Sequence, residues 1–144
     1  MKNNKGFSLV ELIIVIAIMA VLIGVLAPQY LRYVEKSKKQ ADLSAVGQVY
    51  DALRVACSDP EMQKPLRDST LPAEISIADG GWSVTGGTLD GAITTDLNDT
   101  VKSDSIKLTS TTYGGSTFKV TISSGNNGYV VSRDTAWEGV MENN

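Results

Sequence analysis

The chain has 144 residues, no histidine and one cysteine, and its formal net charge at pH 7 is −3. This length suits one modest globular domain. A single thiol cannot form a disulfide within the chain. The absence of histidine removes the commonest general base and the commonest transition-metal ligand, so we expect neither an enzyme nor a bound cofactor.

Charge is unevenly distributed along the chain. A short stretch that we name the collar has a net charge of +3 and consists of Arg32, Glu35, Lys36, Lys38 and Lys39. Residues 40–144 carry 7 basic and 14 acidic side chains, so no basic cluster there could follow a phosphate backbone, and no direct nucleic-acid site is expected. The collar is expected to lie in solvent or against lipid headgroups.

An apolar run begins near the amino terminus. Every residue from Phe7 to Ala27 is apolar except Ser8, Glu11 and Gly24. As a helix, these residues would span roughly 30 Å, which matches the hydrocarbon core of a bilayer. The run has no polar face, so it belongs in lipid or in the centre of a bundle. A carboxyl group inside such a run needs a partner or a function.

The six residues before the run, MKNNKG, form a short basic head that ends in Gly6. A secretory signal has its small-residue cleavage site after the apolar core, whereas here the small residue precedes the core. Cleavage between Gly6 and Phe7 would therefore leave the apolar helix attached to the mature chain.

The segment KGFSLVELIIVIAIMAVLIGVLAPQY resembles the amino-terminal signature of type IV prepilins and of the related pseudopilins. The shared features are a short basic leader ending in Gly, then Phe, then Glu as the fifth mature residue. The resemblance implies that residues 1–6 are a leader peptide and that a prepilin peptidase cleaves between Gly6 and Phe7 and methylates the amine of Phe7. Residues 7–28 would be the transmembrane and filament-core helix, and residues 29–144 the globular head.

The resemblance also gives Glu11 a partner. Cleavage creates a cationic amine on Phe7, and in a filament core the carboxylate of one subunit can meet the amine of a neighbour. Removing one partner of a buried ion pair typically costs about 3–5 kcal/mol, whereas the net stabilisation by the pair can be near zero. We therefore expect Glu11 to fix the register of the helices during assembly.

Gly24 and Pro28 mark a weak point in the helix. Pro28 has no N–H for the carbonyl of Gly24, and its ring crowds that carbonyl, so a bend is expected. The resemblance to assembled pili implies that segment 24–28 unwinds during filament formation. A static kink is the alternative.

The helix is expected to cover about residues 7–58 and to end before Pro60. Its second half carries an apolar stripe that should pack on a sheet: Val46, Val49, Tyr50, Leu53 and Cys57. Cys57 is expected to be a small buried hydrophobe rather than a reactive thiol.

The rest of the chain predicts a small antiparallel sheet. Residues 60–80 contain three prolines and are predicted to be a connecting loop, with or without a short helix. Strands are predicted at residues 82–86, 105–110, 116–123 and 128–132, with a hairpin turn at SGNNG before the last strand. The expected fold is α+β, a long amino-terminal helix packed on a small antiparallel sheet, as in type IV pilins.

Three minor features need interpretation. A weak candidate calcium site, with a solvated turn as the alternative, consists of Asp96, Asn98, Asp99 and Asp104, whose spacing fits no full calcium loop. The tripeptide Asn98-Asp99-Thr100 is a formal glycosylation acceptor. Trp82 and Trp137 are expected to be core or sheet-covering residues, and surface contacts for a partner are the alternative.

These observations predict a structural protein that polymerises through its apolar helix into an extracellular type IV pilus, or fimbrium. For pili in general the resemblance implies adhesion, twitching motility and aggregation. Two alternatives remain open. One is a pseudopilin of a type II secretion or DNA-uptake machine, and the other is a monomeric membrane-anchored binding domain.

The resemblance implies four partners: further copies of this chain in a helical homopolymer, the prepilin peptidase, an assembly platform in the inner or cytoplasmic membrane, and membrane lipid before assembly. The expected location is the cytoplasmic membrane with the head outside the cytoplasm, and then a pilus at the cell surface. The positive-inside count opposes this orientation, because two lysines precede the apolar run and four basic residues with one acid follow it.

Overall fold

The computed structural model describes residues 7–126, 128–134 and 137. The chain divides into two units, Met1–Ser37 and Lys38–Asn144. Its elements in chain order are α1 (Leu9–Ser58), a 3-10 turn (Pro60–Met62), α2 (Gln63–Asp68), β1 (Thr70–Ala78), β2 (Gly81–Thr88), α3 (Gly91–Thr100), a 3-10 turn (Ser103–Ser105), β3 (Phe118–Gly125) and β4 (Gly128–Arg133).

Helix α1 ends where the sequence predicts. It remains helical through Pro28 and stops at Ser58. The side chain of Asp59 then accepts the backbone N–H of Glu61 at 2.8 Å, while Pro60 occupies a position where its missing N–H costs no hydrogen bond. The predicted helix boundary is therefore confirmed.

The core of the second unit lies between α1 and one face of the sheet. The four strands are antiparallel in the order β2-β1-β3-β4. Alternate side chains of the two central strands are buried, namely Ala73, Ile75 and Ile77 of β1 and Phe118, Val120 and Ile122 of β3. The stripe on α1 contributes Val46, Val49, Leu53 and Cys57 to the same core. The predicted α+β fold is confirmed.

The prediction of a connecting loop over residues 60–80 is wrong for its second half, which forms the central strand β1, whereas the short helix that the prediction allowed is present as α2. Pro72 argued against a strand at this place in the sequence, since proline is normally absent from the interior of a β-sheet. Pro72 lies between the first β1–β2 pair, at Thr70, and the next, at Glu74, and pairing with β3 begins only at Ala73. The ladder therefore does not require an N–H at this position.

Gly87 permits this irregular pairing. Its φ of +68° is in the left-handed region that favours glycine, and a Cβ there would collide with the carbonyl oxygens of Thr70 and Pro72. The close approach of β2 to the first half of β1 therefore requires glycine.

The strand predicted at residues 105–110 is absent. The alternation that suggested it is present, because Ile106, Leu108 and Ser110 are buried. The backbone N–H groups of Leu108 and Ser110 nevertheless donate to carboxylates instead of a neighbouring strand: the N–H of Leu108 donates to Asp79 Oδ1 at 3.0 Å. Side-chain alternation predicted the burial correctly and the hydrogen-bond partners wrongly.

Asp42 on α1 holds the next two N–H groups of this segment. Its side chain is buried, with 1% exposed, and its two oxygens accept the N–H groups of Thr109 and Ser110, each at 2.8 Å. Burial alone would raise the pKa of Asp42, but the hydrogen bonds from Ser110 and Thr109 outweigh burial and lower this pKa below its ordinary value. The charged carboxylate of Asp42 thus links the loop at Thr109 and Ser110 to α1 through two hydrogen bonds.

The other three predicted strands are confirmed as β2, β3 and β4. The hairpin between β3 and β4 is also confirmed, because Gly125 pairs with Gly128. Asn127 of the predicted turn lies outside the described residues.

Both tryptophans serve the core, as predicted. Trp82 is half-buried and donates its Nε1–H to the carbonyl of Val101 at 3.0 Å. Trp137 is 1% exposed and meets the ring of Phe118 edge-on, with ring centres 5.5 Å apart. The guanidinium of Arg133 lies 5.6 Å from the Trp137 ring centre. Trp137 is thus part of the core of a chain that has no intrachain disulfide.

Candidate functional site: the apolar amino-terminal helix

The candidate site is the surface of α1 in the first unit. All residues from 7 to 33 are exposed, although most of those up to residue 27 are apolar. One 18-residue window has a mean hydropathy of 3.1 and no buried residue, so by length and composition the helix can cross a membrane. Burying one large aliphatic side chain is favourable by about 1.5–3 kcal/mol. This surface therefore requires a cover, either lipid or other helices.

Glu11 lies in the first turn of α1. Its Oε2 accepts the backbone N–H of Ser8 at 2.9 Å, while the carbonyl of Ser8 accepts the N–H of Leu12 at 3.2 Å. An acidic side chain at this end satisfies a free N–H group and interacts favourably with the helix dipole. The carboxylate is held at the start of the apolar surface, and its second oxygen can accept from another donor.

Phe7 is 84% exposed and lies four positions before Glu11. Gly6 and the rest of the predicted leader, residues 1–6, lie outside the described residues. Cleavage after Gly6 and methylation of Phe7 are therefore predictions from the sequence.

Gly24 and Pro28 both lie inside α1. A Cβ at Gly24 would meet no atom within 4 Å, so packing within this chain gives no reason for a glycine there. Two explanations remain: local flexibility near the proline, or close approach of another molecule. Bending or unwinding of segment 24–28 remains a prediction.

The candidate calcium ligands are not gathered into a metal-binding group. Asp96, Asn98 and Asp99 lie in α3, and Asp104 lies in the following 3-10 turn. In the described part of the chain, no group of three or more His, Cys, Asp or Glu side chains could hold a metal ion. Asn98, Asp99 and Asp104 are exposed, as a solvated stretch requires, but most of the stretch is helix rather than turn. Helix α3 is capped by Asp90, whose side chain accepts the N–H of Ala92 at 2.9 Å.

Cys57 is a structural residue, as predicted. It is 8% exposed, and burial raises the pKa of its thiol to about 11. At neutral pH the thiol is protonated and therefore a weak nucleophile.

An exposed apolar helix with a carboxylate in its first turn, followed by an α+β unit, is a pilin-like fold. The chain carries the prokaryotic N-terminal methylation motif, whose family model matches residues 1–27. This match confirms the resemblance to type IV prepilins that the sequence signature indicated.

Similarity to fimbrial proteins extends beyond the motif. The chain is 32% identical to a type IV major fimbrial protein FimA of Dichelobacter nodosus over 78 residues, which are 54% of this chain and 50% of that protein. It is 29% identical to fimbrial protein Q of Moraxella bovis over 111 residues, 65% of this chain and 71% of that protein. The chain thus spans about half the length of the first of these relatives. No solved structure matches it.

Proposed function

We propose that this protein is a structural subunit that polymerises through its apolar helix into an extracellular type IV pilus. The observation that supports this most strongly is the uncovered apolar surface of α1, which begins with the methylation motif and leads into an α+β head. The names of the similar proteins, which are fimbrial, agree with it.

Before assembly, lipid would cover the apolar surface, and after assembly the helices of other copies would replace the lipid. Moving an apolar helix from lipid to a helix bundle brings no hydrophobic gain, so packing and polar contacts decide the association. The one carboxylate in the apolar run, Glu11, therefore has a large influence on which arrangement forms.

The partner proposed for Glu11 is the amine of Phe7 in a neighbouring copy. Peptidase cleavage between Gly6 and Phe7 would create this amine, and methylation would leave it basic. The hydrogen bond from Ser8 to Glu11 uses one carboxylate oxygen and leaves the other for the incoming amine. Helices in a different register would bury an unpaired charge, which costs several kcal/mol.

Segment 24–28 is proposed to lose its helical hydrogen bonds as subunits join. The missing N–H of Pro28 and the lack of a Cβ at Gly24 make these residues the least costly part of α1 to unwind.

The proposed partners are further copies of this chain, the prepilin peptidase, an assembly platform in the cytoplasmic membrane, and membrane lipid before assembly. The head would lie outside the cytoplasm, and the fibre would stand on the cell surface. Adhesion, twitching motility and aggregation are the activities that such a fibre supports.

Electron microscopy of sheared surface material tests the proposal. We expect long fibres containing this chain from the wild type, and none from Glu11→Ala or Glu11→Gln, although both variants still insert into the membrane. Glu61→Gln is a matched control, because Glu61 is exposed in the head and its loss should leave fibres unchanged.

Each other outcome has a defined meaning. Normal fibres from the Glu11 variants would refute the assembly role of Glu11. Short envelope-spanning structures in the wild type would identify a pseudopilin. No assembly of any kind would identify a membrane-anchored monomer.

A further inference from the structure

We infer that a basic stripe on α1 of one copy binds an acidic groove on α1 of an adjacent copy. The basic stripe consists of Arg32 and Lys36, and the acidic groove is formed around Asp51, Val55 and Asp59. The inference rests on the proposed function, because it identifies a contact between subunits in addition to the pairing of Glu11.

The acidic groove is a shallow depression near the carboxy-terminal end of α1. It is lined by Asp51, Arg54, Val55, Ser58, Asp59 and Pro60. Val55 is 70% exposed, whereas Leu53 and Cys57 on either side of it in sequence point into the core. The depression therefore lies on the side of the helix that faces away from the core, and its apolar residue is uncovered.

The charges of the groove favour a cation with an apolar stem. Asp51 is exposed, and Asp59 uses one oxygen to accept the N–H of Glu61. The guanidinium of Arg54 lies 5.7 Å from the ring centre of Tyr50, so its charge is partly engaged there. Two carboxylates thus flank an exposed valine. A lysine or arginine side chain can place its methylene groups on the valine and its charge beside a carboxylate.

The basic stripe supplies such side chains at matching intervals. Arg32 and Lys36 lie at i and i+4, which places them on one face of the helix, and both are exposed.

The groove residues on α1 follow at the same interval. Asp51 and Val55 lie at i and i+4, so each stripe residue precedes its counterpart in the groove by 19 positions. Two parallel copies in one register can therefore place Arg32 beside Asp51 and Lys36 over Val55.

A second copy is the occupant that the charges favour. Anionic lipid headgroups could bind the basic stripe, but they would leave the acidic groove and Val55 uncovered. A second copy covers both surfaces in one contact. Because the contact joins two different surfaces, it is heterologous and can repeat along a filament without closing.

Cysteine cross-linking within sheared fibres tests this contact. The test variant carries Lys36→Cys and Val55→Cys, and the fibres are treated with a short bismaleimide. The native thiol of Cys57 is buried and protonated, so the wild type should not react. Lys36→Cys with Val130→Cys is the matched control, because Val130 is also an exposed valine, 51% exposed, on β4.

We expect a ladder of covalent dimers, trimers and larger species from the test variant and monomer from the control. Fibres that give no ladder, or the same ladder as the control, would overturn the inference and leave the proposed function intact. Absence of wild-type fibres would instead refute the proposed function.

Charge exchange tests the inference if the cysteine variants do not assemble. Asp51→Arg should strongly reduce the yield of fibres, and adding Arg32→Asp to the same chain should restore most of it. A double variant that assembles no better than Asp51→Arg alone would overturn the inference.

Discussion

Asp42 accepts a hydrogen bond from the backbone N–H of Ser110, 68 positions later in the chain, at 2.8 Å. A second N–H, from Thr109, donates to the other carboxylate oxygen at the same distance. The carboxylate joins α1 to a loop that makes no ladder hydrogen bonds of its own. The stability of the second unit should therefore be sensitive to the loss of this charged side chain.

Replacing Asp42 by alanine should destabilise the head. Hydrogen bonds to a charged group contribute about 1.5–3 kcal/mol each, so we expect a loss of roughly 3 kcal/mol in the free energy of unfolding. The measurement is urea unfolding of the full chain in detergent, followed by the fluorescence of Trp82 and Trp137, which both lie in the second unit. Asp51→Ala is the control: Asp51 is exposed, and its loss should change stability by less than about 0.5 kcal/mol. Equal effects of the two substitutions would contradict the role of Asp42.

The same carboxylate predicts a dependence on pH. The pKa of Asp42 is lowered in the folded state, so protonation favours the unfolded chain. Its contribution is fully present above the ordinary pKa of about 3.9 and is lost as the pH falls through the lower folded value. We expect stability to fall below about pH 4, and to fall less for Asp42→Asn, which does not titrate. If the wild type and Asp42→Asn lost the same free energy of unfolding over this pH range, Asp42 would be excluded as the cause of the pH dependence.

Trp137 should contribute strongly to the stability of the core. Removing a buried Trp ring typically costs about 3–5 kcal/mol, so Trp137→Ala should lower the unfolding free energy by about that amount. Trp137→Phe should cost clearly less, because Nε1 is buried and has no hydrogen-bond partner among the described residues. Urea unfolding followed by Trp82 fluorescence compares the two, with Val130→Ala as an exposed control. A phenylalanine as damaging as alanine would show that the indole N–H does have a partner.

Gly87 should not tolerate a side chain. Its positive φ and the carbonyl oxygens beside it predict that Gly87→Ala costs roughly 1–3 kcal/mol, measured by the same unfolding assay. Gly91 provides the comparison, since a Cβ there would meet no atom within 4 Å, and Gly91→Ala should be neutral or slightly stabilising. If both substitutions had the same small effect on the free energy of unfolding, the close approach of β2 to β1 would not require glycine at position 87.

The sequence predicted those elements whose signals are local. The stripe on α1 and the alternation of β3 identify their buried faces directly, because helix and strand periods are properties of neighbouring residues. Strand β1 was not predicted because its proline lies at a shift in register, which only the paired strands reveal. Helix α3 was not predicted because its Thr, Asp and Asn residues are typical of turns. The cap at Asp90 and the buried Ile93 and Leu97 stabilise it as a helix.

The functional residues likewise fall into two groups, those that a local sequence motif indicates and those that it does not. Gly6, Phe7 and Glu11 are adjacent in the chain, so a contiguous motif could indicate them. The hydrogen bonds of Asp42 join residues 67 and 68 positions apart, which only folding brings together, so no local pattern of the sequence contains them. The groove around Val55 is lined by residues 51–60, which are local, but the sequence alone does not show that Val55 is left uncovered.

Intact-mass and amino-terminal analysis of the protein from its native host, with and without the prepilin peptidase, tests the central claim most directly. The account predicts a chain that begins at an N-methylated Phe7 and is produced only when the peptidase is present. A chain that still begins at Met1, or that is cut after the apolar run, would leave Glu11 without its proposed partner and would contradict assembly through this helix.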